Sequence, residues 1–473
     1  MNTRQILITR LWQSPVVWQW GFHALRLGSN VLLLPLLMRM SPADFGFFYV
    51  LLSLGTLAPV LDMGLLDAII RSVGYAMGGA TELKAHGVGA APAGNGGPNF
   101  VLLRELLRTT QFLFRGLSLL VLIGLGAWGT YQVSLSVGET SSPSATWLAW
   151  GLTLVGGVFE MYAGWWTVYL RGINQVLLSS RIAVLAFLLK FLLSCGLLLA
   201  GLGLLSVPLA TFVSTFVQRR LSRRHVLRFL NQYPATPTPR SRPLELLRIL
   251  WPNSWRLGLH LSGVMATANI MTFLCQKEKG LGLAVIGQYG LSLQLANLCL
   301  VLAFTWISVK WPLIFQMRAR QDVTGLRTLM RQRTWLCIAT YVVLACGAGA
   351  VGENLVHWLN PQKTLLPQPW VVLLLASGFF GLQFNVWGTF ILTENRVPYL
   401  WPTLLTNAAS VALTVVLLRT TAIGSGALVL APCLAWAAFN YWYWPQYAAR
   451  TLQTTLARLL FGGVQKQSRT DLA

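Results

Sequence analysis

Apolar runs bounded by charged or turn residues recur twelve times along the chain, at 16–38, 47–70, 112–132, 147–170, 179–200, 203–218, 254–275, 283–309, 335–352, 370–392, 399–418 and 425–446. A helix of roughly 20 residues crosses a ~30 Å hydrocarbon layer, so the pattern predicts about twelve transmembrane helices. Pro59 marks a predicted bend in the second. Polar positions inside the runs are few and fall at helical spacing. In the first run, VVWQWGFHALRLGSNVLLLPLLMRM, Gln19, His23, Arg26 and Asn30 lie within about 60° of one another on an α-helix. An ionised side chain held in hydrocarbon costs about 2.5–3.5 kcal/mol even on the lenient insertion scale, so this stripe is predicted to face a bundle interior or a wet cavity.

The stripe returns in the seventh run. Arg256-Leu257-Gly258 repeats Arg26-Leu27-Gly28, with His23 and Asn253 three residues before the arginines and Asn30 and His260 four after. Two more stretches match: Phe45-Gly46 through Tyr49 against Ile286-Gly287-Gln288-Tyr289, and Trp165-x-Thr167-x-x-Leu170 against Trp387-x-Thr389-x-x-Leu392. Their offsets of 230, 241 and 222 residues suit one internal duplication with small insertions. Six spans is an even number, so both halves enter the membrane in the same sense, as parallel repeats with the substrate at their interface.

Composition agrees with the pattern. Hydrophobic residues make up 55% of the 473, charged residues only 10%, and mean hydropathy is +0.59, against about 25% charged residues in a soluble domain. The net charge of +23 would suggest nucleic acid in a soluble protein. Here 28 Lys/Arg fall in the segments that are cytoplasmic if the N-terminus is, five fall in the opposite loops, and Arg26, Lys190 and Arg256 lie inside spans. That is a positive-inside signal, and no nucleic-acid partner is expected. The six cysteines are scattered without a C-x-x-C pair, so no metal site, cofactor or disulfide framework is expected. Gly124 to Gly129 fits G-x-G-x-x-G but lies inside an apolar span, which excludes a dinucleotide site.

The expectation is an all-α polytopic membrane protein, about twelve transmembrane helices in two six-helix parallel-repeat bundles around a central cavity. Residues 1–218 form the N-terminal bundle, 219–250 a basic cytoplasmic linker, 251–446 the C-terminal bundle and 447–473 a cytoplasmic amphipathic tail, whose stretch Ala448–Phe461 has basic and apolar faces and lies along the inner surface. Gly78–Pro98 is Gly/Ala-rich and reads as a flexible loop.

The candidate binding residues are read from buried charge. Arg26, Arg256 and Lys190 face a single mid-span acid, Glu160. Surplus positive charge needs an anion, and a pyrophosphate offers oxygens that arginine grips in pairs; capping of carbonyls is the structural alternative. Lys190 either faces the cavity or pairs with Glu160. Glu160 and Asp62 are candidates for ion coupling, while Asp67 and Arg71, four apart, read as a surface pair. His23, Asn30, Asn253 and His260 flank the arginines as donors or as packed polar groups. Gln294 and Asn297, with Gln288 and Ser308, suit a hydroxyl-rich ligand or helix-to-helix bonds. Trp165, Trp166 and Trp306 are candidates for stacking on sugar rings.

The early run resembles the N-terminal signature of bacterial polysaccharide and O-antigen flippases of the multidrug/oligosaccharidyl-lipid/polysaccharide (MOP) exporter superfamily. The residues that carry the likeness are Arg26-Leu27-Gly28-Ser29-Asn30, Pro35, Ser41-Pro42 to Phe45-Gly46, and Leu61-Asp62-Met63-Gly64. The resemblance implies a non-enzymatic flippase of the bacterial cytoplasmic (inner) membrane, both termini cytoplasmic, moving an undecaprenyl-pyrophosphate-linked oligosaccharide outward by alternating access for surface polysaccharide synthesis. It implies a lipid-linked glycan as substrate, membrane lipids and polysaccharide polymerase or assembly proteins as partners, and Arg26, with Arg256 through the repeat, as cavity arginines. A multidrug or toxin exporter of the same superfamily is the alternative; a glycan polymerase or ligase is a more distant one, because such enzymes usually need a sizeable catalytic outer loop.

Overall fold

The computed structural model describes residues 11–37, 39–57, 62, 64–85, 87, 97–232, 243–277, 283–359 and 364–462, and no strand occurs among them. In chain order the helices are α1 (Pro15–Leu37), α2 (Pro42–Leu57), α3 (Leu65–Met77), α4 (Phe100–Ser136), α5 (Pro143–Gly172), α6 (Val176–Leu199), α7 (Ser206–Asn231) and α8 (Pro243–Lys277). After these come α9 (Leu283–Ser308), α10 (Trp311–Ala319), α11 (Val323–Leu359), α12 (Gln368–Leu392), α13 (Leu400–Thr420), α14 (Ala427–Ala437), α15 (Asn440–Thr451) and α16 (Leu456–Phe461). Every apolar run of the sequence lies on one of these or on a consecutive pair. Six helices among the described residues are long and apolar enough to cross a membrane by length and composition. The chain is an all-α, multi-pass membrane protein.

Side chains set several boundaries. Asn99 and Ser142 accept from the backbone N–H of Leu102 and Ala145, capping α4 and α5. The second run divides into α2 and α3; Pro59, the expected bend, lies outside the described residues. Before α3, Asp62 Oδ1 accepts from the Gly64 N–H at 2.9 Å, and Gly64 adopts φ +74°. A Cβ at Gly64 would stand 3.0 Å from the Ser254 carbonyl, so a left-handed residue without a side chain is required there. The last run also divides, into α14 and α15. The amide of Asn440, fully buried, donates to Thr406 Oγ1 at 2.8 Å and its oxygen accepts from Trp444 Nε1 at 2.7 Å, so a polar network sits at the break.

The basic segment after residue 218 begins as helix, because α7 continues to Asn231. The 448–461 segment comprises the end of α15, a turn and α16. α15 ends at Thr451, the chain turns through Gln453 at φ 54°, and α11 holds the turn and the end of α16. Arg327 donates to the Leu452 and Gln453 carbonyls at 2.7 and 2.8 Å, Arg331 to that of Gly462 and Trp335 to that of Leu460. In the Gly78–Pro98 segment, Ala80 is buried and its carbonyl accepts from Asn99; residues 86 and 88–96 lie outside the described residues.

The chain forms two compact units, Met1–Gly258 with Trp311–Ala319, and Leu259–Lys310 with Arg320–Ala473. In the first, α5 packs on α7 and α4, α6 on α7 and α1, and α3 on α5. Its core holds Trp165, Tyr169, Phe114 and Leu103, with the Tyr169 hydroxyl donating to the Leu103 carbonyl at 2.6 Å. In the second, α12 packs on α15 and α11, and α13 on α14, and Tyr341 donates to the Leu375 carbonyl. The pairings of α12 with α15 and α11, and of α13 with α14, are those of α5 with α7 and α4, and of α6 with α7, one half later in sequence. α5 and α12 also each carry a buried tryptophan, Trp165 or Trp387, and each is followed by a left-handed asparagine, Asn174 at φ 66° or Asn395 at φ 55°. Both halves thus share one plan, as the matched motifs suggest.

One element crosses that division. α10 comes from the second half of the chain but packs on α3 in the first unit, with Tyr75 edge-on to Phe315. The first unit also holds a tether to the α4–α5 loop. Asp44, at the start of α2, accepts from both the N–H and the hydroxyl of Ser141. Burial alone would push its carboxyl up, but these bonds and one with Ser41 hold it below the ordinary 3.8. A depressed acid contributes its stabilisation above its unfolded value and loses it as pH falls through the folded one. Hydrogen-exchange protection of the Ser141 amide is therefore expected to be constant from neutral pH down to about 4 and to fall below it. Asp44→Asn should remove that pH dependence.

Candidate functional site

Three charges on three helices converge inside the first unit. On α1, Arg26 lies about 120–180° around the helix from Val17, Ala24, Leu32 and Pro35, the exposed apolar side. On α6, Lys190 lies roughly 140–180° from Leu185, Leu188, Leu192 and Leu199, all exposed. On α5, Glu160 lies about 120–140° from exposed Trp147, Leu148 and Val155 and shares its face with Thr153, Gly156, Gly157 and Gly164. Each charge thus points away from its own helix's lipid-suited arc. Lys190 lies within electrostatic reach of both Glu160 and Arg26.

This is no contact ion pair. Among the described residues an ion pair within 4 Å joins Lys84 to Glu82, and none is described between Lys190, Glu160 and Arg26. Arg26 and Glu160 are exposed and Lys190 half-buried, so the cluster carries two cations and one acid, all open to a ligand. His23 sits beside Arg26, edge-on to Phe22, which in turn meets Phe187 of α6 at 5.4 Å. Arg181 fixes the register of these two helices. It donates to the Trp12 carbonyl at 2.8 Å and lies over the Trp12 and Trp18 rings at 5.8 and 5.4 Å. Asn30 is on α1, but its side chain lies outside the described residues.

The second stripe is differently engaged. Arg256, half-buried, lies over the Trp255 ring at 5.5 Å. Asn253 is buried and donates to the Ala85 carbonyl at 2.7 Å. His260, in the second unit, is buried with Nδ1 2.9 Å from Thr403 Oγ1. The Thr403 hydroxyl already donates to the Tyr399 carbonyl, so the histidine nitrogen is the donor. No described contact joins Arg256 to Arg26. Gln294 and Asn297 are exposed on one face of α9 beside Val301, Gln288 donates to Thr364, and Asp62 is engaged in the turn before α3.

Two sequence readings fail. Trp165 and Trp166 are buried and stacked on each other at 4.2 Å, so neither is presented to a sugar, and Trp306 donates to Thr340. Arg71 is 3% exposed and shares its surroundings with Asp67 and Arg171, so Asp67 and Arg71 are not a surface pair. Arg219 is a group the sequence reading passed over: it lies over the Tyr162 ring at 4.7 Å and donates to its hydroxyl. Its spacing from Tyr162 across two helices leaves no local signal. In the second unit the buried polar groups of α13, Thr403, Thr406, Asn407, Ser410 and Thr414, are all neutral, whereas α6 in the first carries Lys190.

Solved structures share this architecture. An outward-facing multidrug resistance MATE family transporter of the MOP superfamily superposes with a TM-score of 0.67 at 11% identity, covering 94% of this chain and 97% of its own. The chain shares the fold of that structure. A MOP superfamily transporter from Pyrococcus furiosus, described as having a binding pocket of reverse polarity that suggests a different function, gives 0.66 at 14% identity over 94% and 98%. A MATE transporter in complex with MaL6 gives 0.66 at 13% over 94% and 98%. No family model and no curated protein matches the sequence.

Proposed function

We propose that this protein is a MOP-type transporter that carries a lipid-linked oligosaccharide across the bacterial cytoplasmic membrane by alternating access, with both termini cytoplasmic. The observation that carries the reading is the cluster of Arg26 and Lys190 against the single acid Glu160 on inward-turned faces of the first unit. A cationic interior selects an anion, and a polyprenyl pyrophosphate bearing a glycan combines the needed charge with a tail suited to the bilayer. The sequence likeness of residues 26–64 to polysaccharide flippases supports the same substrate class. Arg256, Asn253, His260, Gln294 and Asn297 enter this reading as secondary contacts, and polymerase or assembly proteins as partners that receive the product.

The fold suits a multidrug exporter equally well. The charge does not, for a cationic drug calls for acids in excess. Proteoliposomes with a labelled undecaprenyl-pyrophosphate oligosaccharide in the inner leaflet discriminate the two. Wild-type protein is expected to expose the label to an external lectin and to leave a cationic dye gradient unchanged. Dye movement without label movement overturns the assignment.

A further inference from the structure

The end of the first unit that carries the basic segments holds a feature the transport reading does not use. α7 extends past its apolar stretch as FVQRRLSRRHVLRFLN, from Phe216 to Asn231. On the helix, Arg220, Arg223, Arg224 and Arg228 fall within about 140° of one another, and Phe216 lies in the same arc, one turn towards the apolar part. All four arginines are exposed, and Phe216 is 48% exposed. A phenylalanine suited to acyl chains therefore stands directly above four guanidinium groups. This is the order in which a bilayer presents hydrocarbon and then phosphate.

The start of α4 adds to the same surface. Arg104 donates to the Leu230 carbonyl at 3.0 Å, and Phe100 meets Phe229 at 5.9 Å, which brings the two helix ends together. One turn after Arg104 comes exposed Arg108, and one turn further Phe112, 51% exposed, so here as on α7 an exposed phenylalanine stands on the apolar side of arginines. Glu105 is the one acid in these two stretches.

We infer that this arginine face of α7 and α4 is a docking surface for the headgroups of anionic phospholipids in the adjoining leaflet. A topology signal needs only a count of positive charges in the right loops; it asks for no common arc, for no aromatic above it and for no choice of arginine over lysine. All the basic side chains of α7 apart from His225 are arginines, the residue that holds phosphate oxygens in pairs. His225 lies between them. Burial, then Arg228 and Arg224, push its imidazole below its ordinary value.

The test uses the full-length protein in nanodiscs of phosphatidylcholine alone or with phosphatidylglycerol. A basic side chain at an anionic surface is worth about a fivefold gain in binding. Wild type is expected to retain phosphatidylglycerol over phosphatidylcholine in native mass spectrometry. Its melting temperature should rise with phosphatidylglycerol, and the rise should shrink as salt is added. In the quadruple variant R220Q/R223Q/R224Q/R228Q the preference should fall about tenfold or more, while the melting temperature in phosphatidylcholine stays near wild type. The His225 imidazole should titrate at higher pH in phosphatidylglycerol than in phosphatidylcholine, because anionic headgroups offset the neighbouring arginines. The inference is overturned if wild type shows no preference, if the quadruple variant keeps it, or if inorganic phosphate reproduces the stabilisation.

Discussion

Placing alanine at Gly74 and Gly78 together is expected to destabilise the protein by roughly 3 kcal/mol or more, at about 1–3 kcal/mol for each group forced into a filled space. These glycines are where α3 receives α10. A Cβ at Gly74 would lie 2.8 Å from the Cβ of Phe315, and one at Gly78 would lie 2.8 Å from both the Cβ of Ala319 and the carbonyl oxygen of Gln316. The obstacle at Gly78 is partly backbone, which cannot rotate away as a side-chain tip can. α3 has little room on its other side, since a Cβ at Gly172 of α5 would meet Val73 at 2.7 Å. The new methyl groups can be accommodated only by parting α3 from α10. Thermal unfolding of the detergent-solubilised protein measures the cost, and an unchanged melting temperature would refute this account of the contact. Adding Ala319→Gly to Gly78→Ala should recover part of the loss but not all, because the clash with the Gln316 carbonyl remains.

That contact also shows where the sequence is informative and where it is silent. The twelve runs are legible because hydrophobic length alone specifies a membrane span. Pro59 signals a bend in the second run, but not that α3 stands apart as a short helix carrying Asp67 and Arg71; α10 is not legible either, because its nine residues fall just past the eighth run, beside basic residues. Their mutual packing depends on glycines whose importance appears only once a partner is present. The duplication is visible at Trp165 and Trp387, large side chains buried in equivalent places. It is not visible at Asn174 and Asn395, whose left-handed backbone differs from an ordinary loop asparagine in conformation and not in type. For the site, helical angle is a reliable guide wherever a charge opposes an apolar arc, as at Arg26 and Lys190. Angle does not tell what a polar group meets. His260 and Asn253 share the stripe of Arg256, yet one bonds Thr403 and the other Ala85, partners 143 and 168 residues away. Trp165 and Trp166 misled for a related reason, since adjacent aromatics in a polar-faced helix look alike whether they meet a ligand or each other.

In the labelled-glycan proteoliposome assay, the double substitution Arg26→Ala and Lys190→Ala is expected to slow translocation about 100-fold or more. A hydrogen bond to a charged group contributes about 1.5–3 kcal/mol, so losing two removes roughly 3–6 kcal/mol of substrate binding, and 1.4 kcal/mol is about tenfold. Neither side chain makes a described contact that holds the bundle together, so the amount of inserted, folded protein should stay close to wild type. Arg26→Lys separates charge from geometry: a point charge keeps the attraction but not the paired grip on phosphate oxygens, so an intermediate rate is expected. Glu160→Gln works in the opposite sense. Its carboxylate is the one acid acting on Lys190, and it competes with the ligand for that cation, so its removal should strengthen binding of the pyrophosphate lipid several-fold. For a cationic dye all these signs reverse, because loss of two cations would favour it and loss of Glu160 would not. Export of the glycan at the wild-type rate by the double variant would leave the positive cluster without a role in transport and the substrate assignment without its physical basis.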